Sequence, residues 1–186
     1  MGLMKVISTP LDGLFEVEHT PISDSRGSFT RLFCEQELAE IRLGLHFPQI
    51  NWSYTKFLGT VRGMHCQKPP EAEAKLIRCL RGRVFDVAVD LRADSPTFLH
   101  WHAAELSEDN NTAIFIPEGF AHGFQTLSHD ACLLYMHTKS WNKSKEFGVR
   151  YDDPLISIDW PLPIQYCSER DAEHPRLDAN FNGLLL

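Results

Sequence analysis

At 186 residues and 21.3 kDa, with 43% hydrophobic and 23% charged residues, the chain has ordinary globular composition and enough mass to bury a core, which excludes a disordered or fibrous protein. Its formal charge is -7 and no run of Lys or Arg interrupts that balance, so neither nucleic-acid binding nor a polybasic membrane patch is expected. The five cysteines, Cys34, Cys66, Cys79, Cys132 and Cys167, are widely spaced with no CxxC pair; with no leader or span-length apolar run, free thiols in a cytoplasmic protein are expected.

In chain order, the first periodic segment is Glu35–Leu43, where Leu38, Ile41 and Leu45 follow helical spacing and Gly44 supplies a stop, predicting a short peripheral helix. From there the pattern turns to short β-branched and aromatic runs bounded by Gly, Pro, Asn and Asp. Strands are predicted at Lys75–Leu80, Arg83–Leu91, His100–Leu106, Thr112–Ile116, Gly123–Leu127 and Ala131–His137, punctuated by turns such as Arg81-Gly82 and Pro117-Glu118-Gly119. In Arg83–Leu91, Val87, Val89 and Leu91 share one face and Asp86, Ala88 and Asp90 the other, so one face is polar enough to line a site. The stretch after Pro154 carries Pro161, Pro163 and Pro175 and should wrap over the strands, with a loosely structured tail from about residue 172. The expectation is a single all-β domain over residues 1–186, a sandwich or barrel with one or two short peripheral helices.

Taken singly, the polar motifs carry little. Arg62-Gly63-Met64-His65 and His122-Gly123 each read as a core imidazole with one hydrogen bond, Asp24-Ser25-Arg26-Gly27 as a hairpin turn, and Ser168-Glu169-Arg170-Asp171 as a solvated loop. Their joint order is far more specific. Asp24–Phe29, Gln49-Ile50-Asn51-Trp52-Ser53, Arg62–His65, Lys75, Asp86–Thr97, Pro117–Phe124 and Trp160-Pro161 together resemble the dTDP-4-dehydrorhamnose 3,5-epimerases, from roughly residue 5 to residue 177.

That resemblance implies a cupin-type jelly roll, a homodimer in which an N-terminal segment completes the partner's site, no cofactor, and a nucleoside-diphosphate 4-keto sugar as substrate. It also implies roles. His65 stands for the base that removes a proton beside the ketone, Asp171 for the carboxylate that orients it, Lys75 for the cation near the keto oxygen, and Tyr135 for the acid on the opposite face. His122 stands beside them, tuned by Asp86. Arg26 and Arg62 match nucleotide and diphosphate contacts, a role suited to the guanidinium fork. Gln49, Asn51, Glu146 and Arg170 match further ligand contacts, and Phe29 belongs to the segment offered to the partner.

Two positions depart from the family pattern. Trp141 replaces a tyrosine that stacks on the nucleobase, and Arg31 replaces a glutamate that contacts the nucleotide, so thymine, guanine and cytosine all stay open. No metal site is expected: Cys66 and Gln67 follow His65 where metal-binding cupins carry His-x-His, and His100-Trp101-His102 lies outside the motif series. Three alternatives to the epimerase remain: a ketoisomerase of the same fold, a non-catalytic sugar-nucleotide-binding cupin, and a metal-dependent dioxygenase.

Overall fold

The computed structural model describes residues 2–186. The chain begins with β1 (Met4–Ser8), β2 (Phe15–His19) and a hairpin of β3 (Ile22–Asp24) and β4 (Gly27–Phe29). A run of turns leads into β5 (Gln49–Thr55), β6 (Val61–Gln67), β7 (Lys75–Arg81) and β8 (Arg83–Asp90). Then follow β9 (Trp101–Ser107), β10 (Thr112–Ile116), β11 (Phe120–Thr126), β12 (Ala131–His137) and β13 (Glu146–Gly148). Two antiparallel sheets result, in the orders β1-β2-β10-β7-β12-β5 and β13-β6-β11-β8-β9, with the β3–β4 hairpin apart from both. This is the cupin jelly roll.

Three apolar clusters explain why the strands from residue 75 onward read as nearly continuous hydrophobic runs. Between the sheets lie Ile77, Cys79, Val84, Ala88, Leu106, Ile114, Phe120, Phe124 and Leu133. The outer face of the six-stranded sheet is roofed by Phe33, Leu38, Leu45 and Phe47, which cover Val17, Leu76, Phe115 and Met136. The outer face of the other sheet, with Met64, Cys66, Val87, Val89 and Leu91, is covered by Val149, Ile156, Trp160, Leu177, Phe181 and Leu184. Both faces of each central strand are therefore buried, and only the few inward polar residues break the apolar pattern.

The segment predicted as a helix at Glu35–Leu43 forms turns instead. Its i to i-4 bonds are isolated, Leu38 N to Cys34 O and Arg42 N to Leu38 O, too few to repay helix nucleation. The Glu37 carboxylate accepts from the backbone N–H of Leu3 and Met4 and pairs with Arg31, while Leu38 and Leu45 dock into the roof; tertiary anchoring overrides local propensity. Among the described residues the α-helix lies at α1 (Glu169–Ala172), capped by Ser168, whose hydroxyl accepts from Asp171 N at 3.1 Å. Beyond it the chain docks through Leu184, whose N–H donates to Leu91 O at 2.6 Å and whose carbonyl accepts from Ala93 N at 3.0 Å.

One close approach sets the site. β6 and β11 pair with an irregularity between His122 and Phe124, where Gly63 meets Gly123. A Cβ on Gly63, whose φ is +126°, would sit 2.5 Å from Gly123 Cα; one on Gly123 would sit 2.8 Å from Arg62 O. Only glycine pairs fit, and the contact aligns His65 opposite His122 in the next register position.

Candidate active site

The space between the sheets changes character along its length. Inward residues of β7 run Cys79, Ile77, Lys75, and those of β12 run Leu133, Tyr135, His137; the register sets Tyr135 beside Ile77 and His137 beside Lys75. One end of the sandwich is thus an apolar core and the other a polar cavity of about 710 Å³. Its lining includes His65, Gln67, Glu73, Lys75, His122, Tyr135, His137 and Asp171 in the interior and Tyr54, Phe57, Arg62, Trp141, Glu146, Tyr166 and Arg170 farther along its wall.

His65 Nε2 lies 2.7 Å from Asp171 Oδ1, and Asp171 Oδ2 accepts from Gly63 N at 3.1 Å. Burial pushes the Asp171 carboxyl up, but the bond and charge of His65 and the Gly63 amide outweigh it, and the net shift is downward. An ionised carboxylate only accepts, so Nε2 carries the imidazole proton; Nδ1 makes no protein hydrogen bond among the described residues and keeps its lone pair free.

Across from this pair, on the facing sheet, the Tyr135 hydroxyl shares a 3.1 Å hydrogen bond with Ser53 Oγ. Burial raises its pKa well above the ordinary phenol value, so the ring rests protonated and able to donate. His122 lies between the two: it is the register neighbour of His65, and its ring meets that of Tyr135 edge-on at 6.0 Å. His122 Nε2 is held 2.9 Å from the fully buried Asp86. Lys75 Nζ donates to His65 O at 3.1 Å and pairs with Glu73 Oε1 at 3.1 Å.

The structure brings His65, Lys75, His122, Tyr135, Asp171, Asn51, Arg62, Trp141, Glu146 and Arg170 to this one cavity. Glu146 and Arg170 pair with each other. Gln49 is absent from the lining; its Oε1 accepts from Trp141 N at 2.8 Å and so holds the loop carrying the indole. Arg26, bound to Asp24, and Phe29, 64% exposed, sit on the β3–β4 hairpin outside the cavity, and Arg31 is turned away onto Glu37. A nucleotide contact from Arg31 therefore finds no support within this chain.

Three polar groups escaped the sequence reading. His137 stands two residues after Tyr135 on β12, where period-two alternation would have placed it on the same inward face, and Glu73 lies just before β7, paired with Lys75. His174 follows Asp171 by three positions and packs edge-on against His65 at 5.4 Å. His102 is bonded to Glu16 at 3.0 Å, and His100 is exposed. Cys66 and Cys79 are buried, with thiol pKa values pushed up to about 12 and about 11, so neither is a nucleophile near neutral pH.

An imidazole backed by a carboxylate, a protonated phenol on the opposing sheet and a lysine thus share one cavity of a cupin fold, groups of the kind a proton-transferring isomerase requires. The chain belongs to the dTDP-4-dehydrorhamnose 3,5-epimerase family, whose model matches residues 8–179. A dTDP-4-dehydrorhamnose 3,5-epimerase of Methanothermobacter thermautotrophicus is 41% identical over 183 residues, covering 97% of this chain and 98% of the relative. The Legionella pneumophila enzyme, solved in complex with dTDP-4-keto-L-rhamnose, superposes with a TM-score of 0.87 at 38% identity, covering 95% of this chain and 100% of that one. A 3'-monoepimerase of Streptomyces bikiniensis with dTDP-quinovose superposes at 0.83 and 30% identity, covering 90% and 85%.

Proposed function

We propose that the chain, folded as one domain, inverts carbon 3, carbon 5 or both of a dTDP-linked 4-keto-6-deoxyhexose. The hydrogen on a carbon beside a ketone is acidic enough for an enzymic base once the enolate is stabilised. In this reading His65 Nδ1 takes that hydrogen, and the Asp171 carboxylate stabilises the imidazolium that forms. The Lys75 ammonium faces the enolate oxygen. Tyr135 then returns a proton to the other face of the carbon; a proton from solvent, relayed through the Ser53 hydroxyl, restores the phenol, and the His65 imidazolium gives its proton back to solvent. The observation that carries the reading is the placement of His65 and Tyr135 on opposed sheets of one cavity, with His122 between them. Simple binding needs no such opposition of base and acid.

Arg62 and Arg170 supply cations for the diphosphate in a chain of net charge -7, and Trp141, 56% exposed at the cavity, offers a face for thymine. Arg26 and Phe29 sit on an exposed hairpin outside the lining of this cavity, which supports a homodimer in which the hairpin enters the partner's site. Ile50, Trp52 and Tyr54 on the edge strand β5 leave an apolar stripe for such a contact. No helix of the described residues is long and apolar enough to cross a membrane.

The test is a panel of 4-keto-6-deoxyhexoses on dTDP, GDP and CDP, read by NMR of the products. Inverted configuration at carbon 3 or 5 of the dTDP sugar is expected. A product with its carbonyl moved to carbon 3 would instead establish a ketoisomerase.

A further inference from the structure

We propose that His65, Asp171 and His174 form a binding site for a divalent transition metal of zinc type, and that a metal bound there shuts the enzyme off. Each of the three offers one donor atom, a ring nitrogen of His65, an Asp171 carboxylate oxygen and a ring nitrogen of His174, and these atoms all lie within 4.8 Å of one another. Asp171 Oδ1 stands 2.7 Å from His65 Nε2 and 3.7 Å from His174 Nε2. Ligands at about 2.0–2.1 Å from a tetrahedral zinc are roughly 3.3 Å apart, so small side-chain shifts close this triangle around an ion. Two imidazoles and a carboxylate suit zinc and its neighbours rather than calcium or magnesium.

His174 is the unexplained member. Its Nε2 is buried and has no hydrogen-bond partner, a costly state that a metal ligand would relieve. Its ring lies against Gly148 of β13, where any Cβ would overlap it, so the backbone is shaped to admit it. With three protein donors, a water would take the fourth position of a tetrahedral ion.

The consequence for catalysis follows from the tautomer. A metal takes the Nε2 lone pair of His65, so the single proton of the neutral ring moves from Nε2 to Nδ1 through solvent. No proton is lost, but Nδ1 is the proposed base and is then occupied. This inhibitory step rests on the role given to His65 above; the binding site itself does not.

The experiment uses the full chain freed of metal by chelation, titrated with Zn²⁺ by calorimetry and with Co²⁺ by visible absorption, beside His174→Gln and the control His102→Gln. One equivalent per chain with the absorption of a four-coordinate ion is expected, weakened at least about 10-fold in His174→Gln and unchanged in His102→Gln. In the wild type, Co²⁺ should broaden the ring-proton NMR signals of His65 and His174 together, a readout that survives if the variant fails to fold. Absence of one-equivalent binding, equal affinity in His174→Gln, or broadening confined to other histidines would overturn the proposal. Zn²⁺ should abolish epimerisation with the same concentration dependence and a chelator should restore it. Tight binding that left the rate untouched would establish the site while removing His65 from the role of base.

Discussion

Replacing Asp171 by Asn tests how the imidazole is kept in its working tautomer. The carboxylate is 4% exposed, 2.7 Å from His65 Nε2 and 3.1 Å from Gly63 N. An amide fits the same space. Its oxygen must face the Gly63 N–H, which leaves its NH₂ group pointing at His65 Nε2 and turns that nitrogen into an acceptor. The ring proton then sits on Nδ1, and the proposed base is occupied before substrate arrives. Loss of the tautomer and of the charge that stabilises the imidazolium should lower kcat by about 10²–10⁴-fold, or roughly 3–5 kcal/mol of barrier. KM should move little, because Asp171 faces the imidazole. Initial rates on the dTDP-linked 4-keto-6-deoxyhexose, with thermal unfolding to confirm the fold, give the answer. A folded variant within about 10-fold of wild-type kcat would refute the tautomer argument.

Gly63→Ala should destabilise the fold by about 3 kcal/mol and lower Tm by roughly 6–12 °C, since its Cβ overlaps Gly123 at a positive φ; an unchanged melting curve would contradict the close approach. His137 is held neutral by burial and by the Lys75 and His122 charges, with its pKa down to about 4 from 6.5. Between those values the unfolded chain binds more protons than the folded one, so this contribution is present above pH 6.5 and is lost as pH falls toward 4. Denaturant titrations at pH 7 and pH 4.5 should show the wild type losing on the order of 1–3 kcal/mol more than His137→Gln; equal losses would show that His137 charges freely in the fold. Trp141→Ala should raise KM about 10-fold or more with kcat nearly kept, the pattern of a lost stacking contact. A kcat loss at unchanged KM would move the indole from binding to chemistry.

The strands from residue 75 to residue 137 were legible because both of their faces are buried, so apolar residues run almost unbroken and turns stand out. β1 and β2 were not, because Met4–Ser8 and Phe15–His19 mix charged and apolar residues near a sheet edge. The error at Glu35–Leu43 has the same root. Good helix formers predict a helix, and contacts from Leu3, Met4 and Arg31 to Glu37, invisible locally, settle the segment as turns. Resemblance singled out His65, Lys75, His122, Tyr135 and Asp171, residues far apart in sequence that the fold gathers in one cavity. It could not find His174, whose meaning depends on the ring of His65 lying beside it.

The central claim is that hydrogen leaves one face of a sugar carbon toward His65 and returns to the other from Tyr135. Deuterium uptake from heavy water, measured at carbons 3 and 5 together with the configuration of the product, tests it in His65→Ala and Tyr135→Phe. The account predicts no uptake in the first variant, and in the second uptake that persists while inversion falls about 100-fold. Wild-type uptake without the imidazole, or wild-type inversion without the phenol, would contradict it.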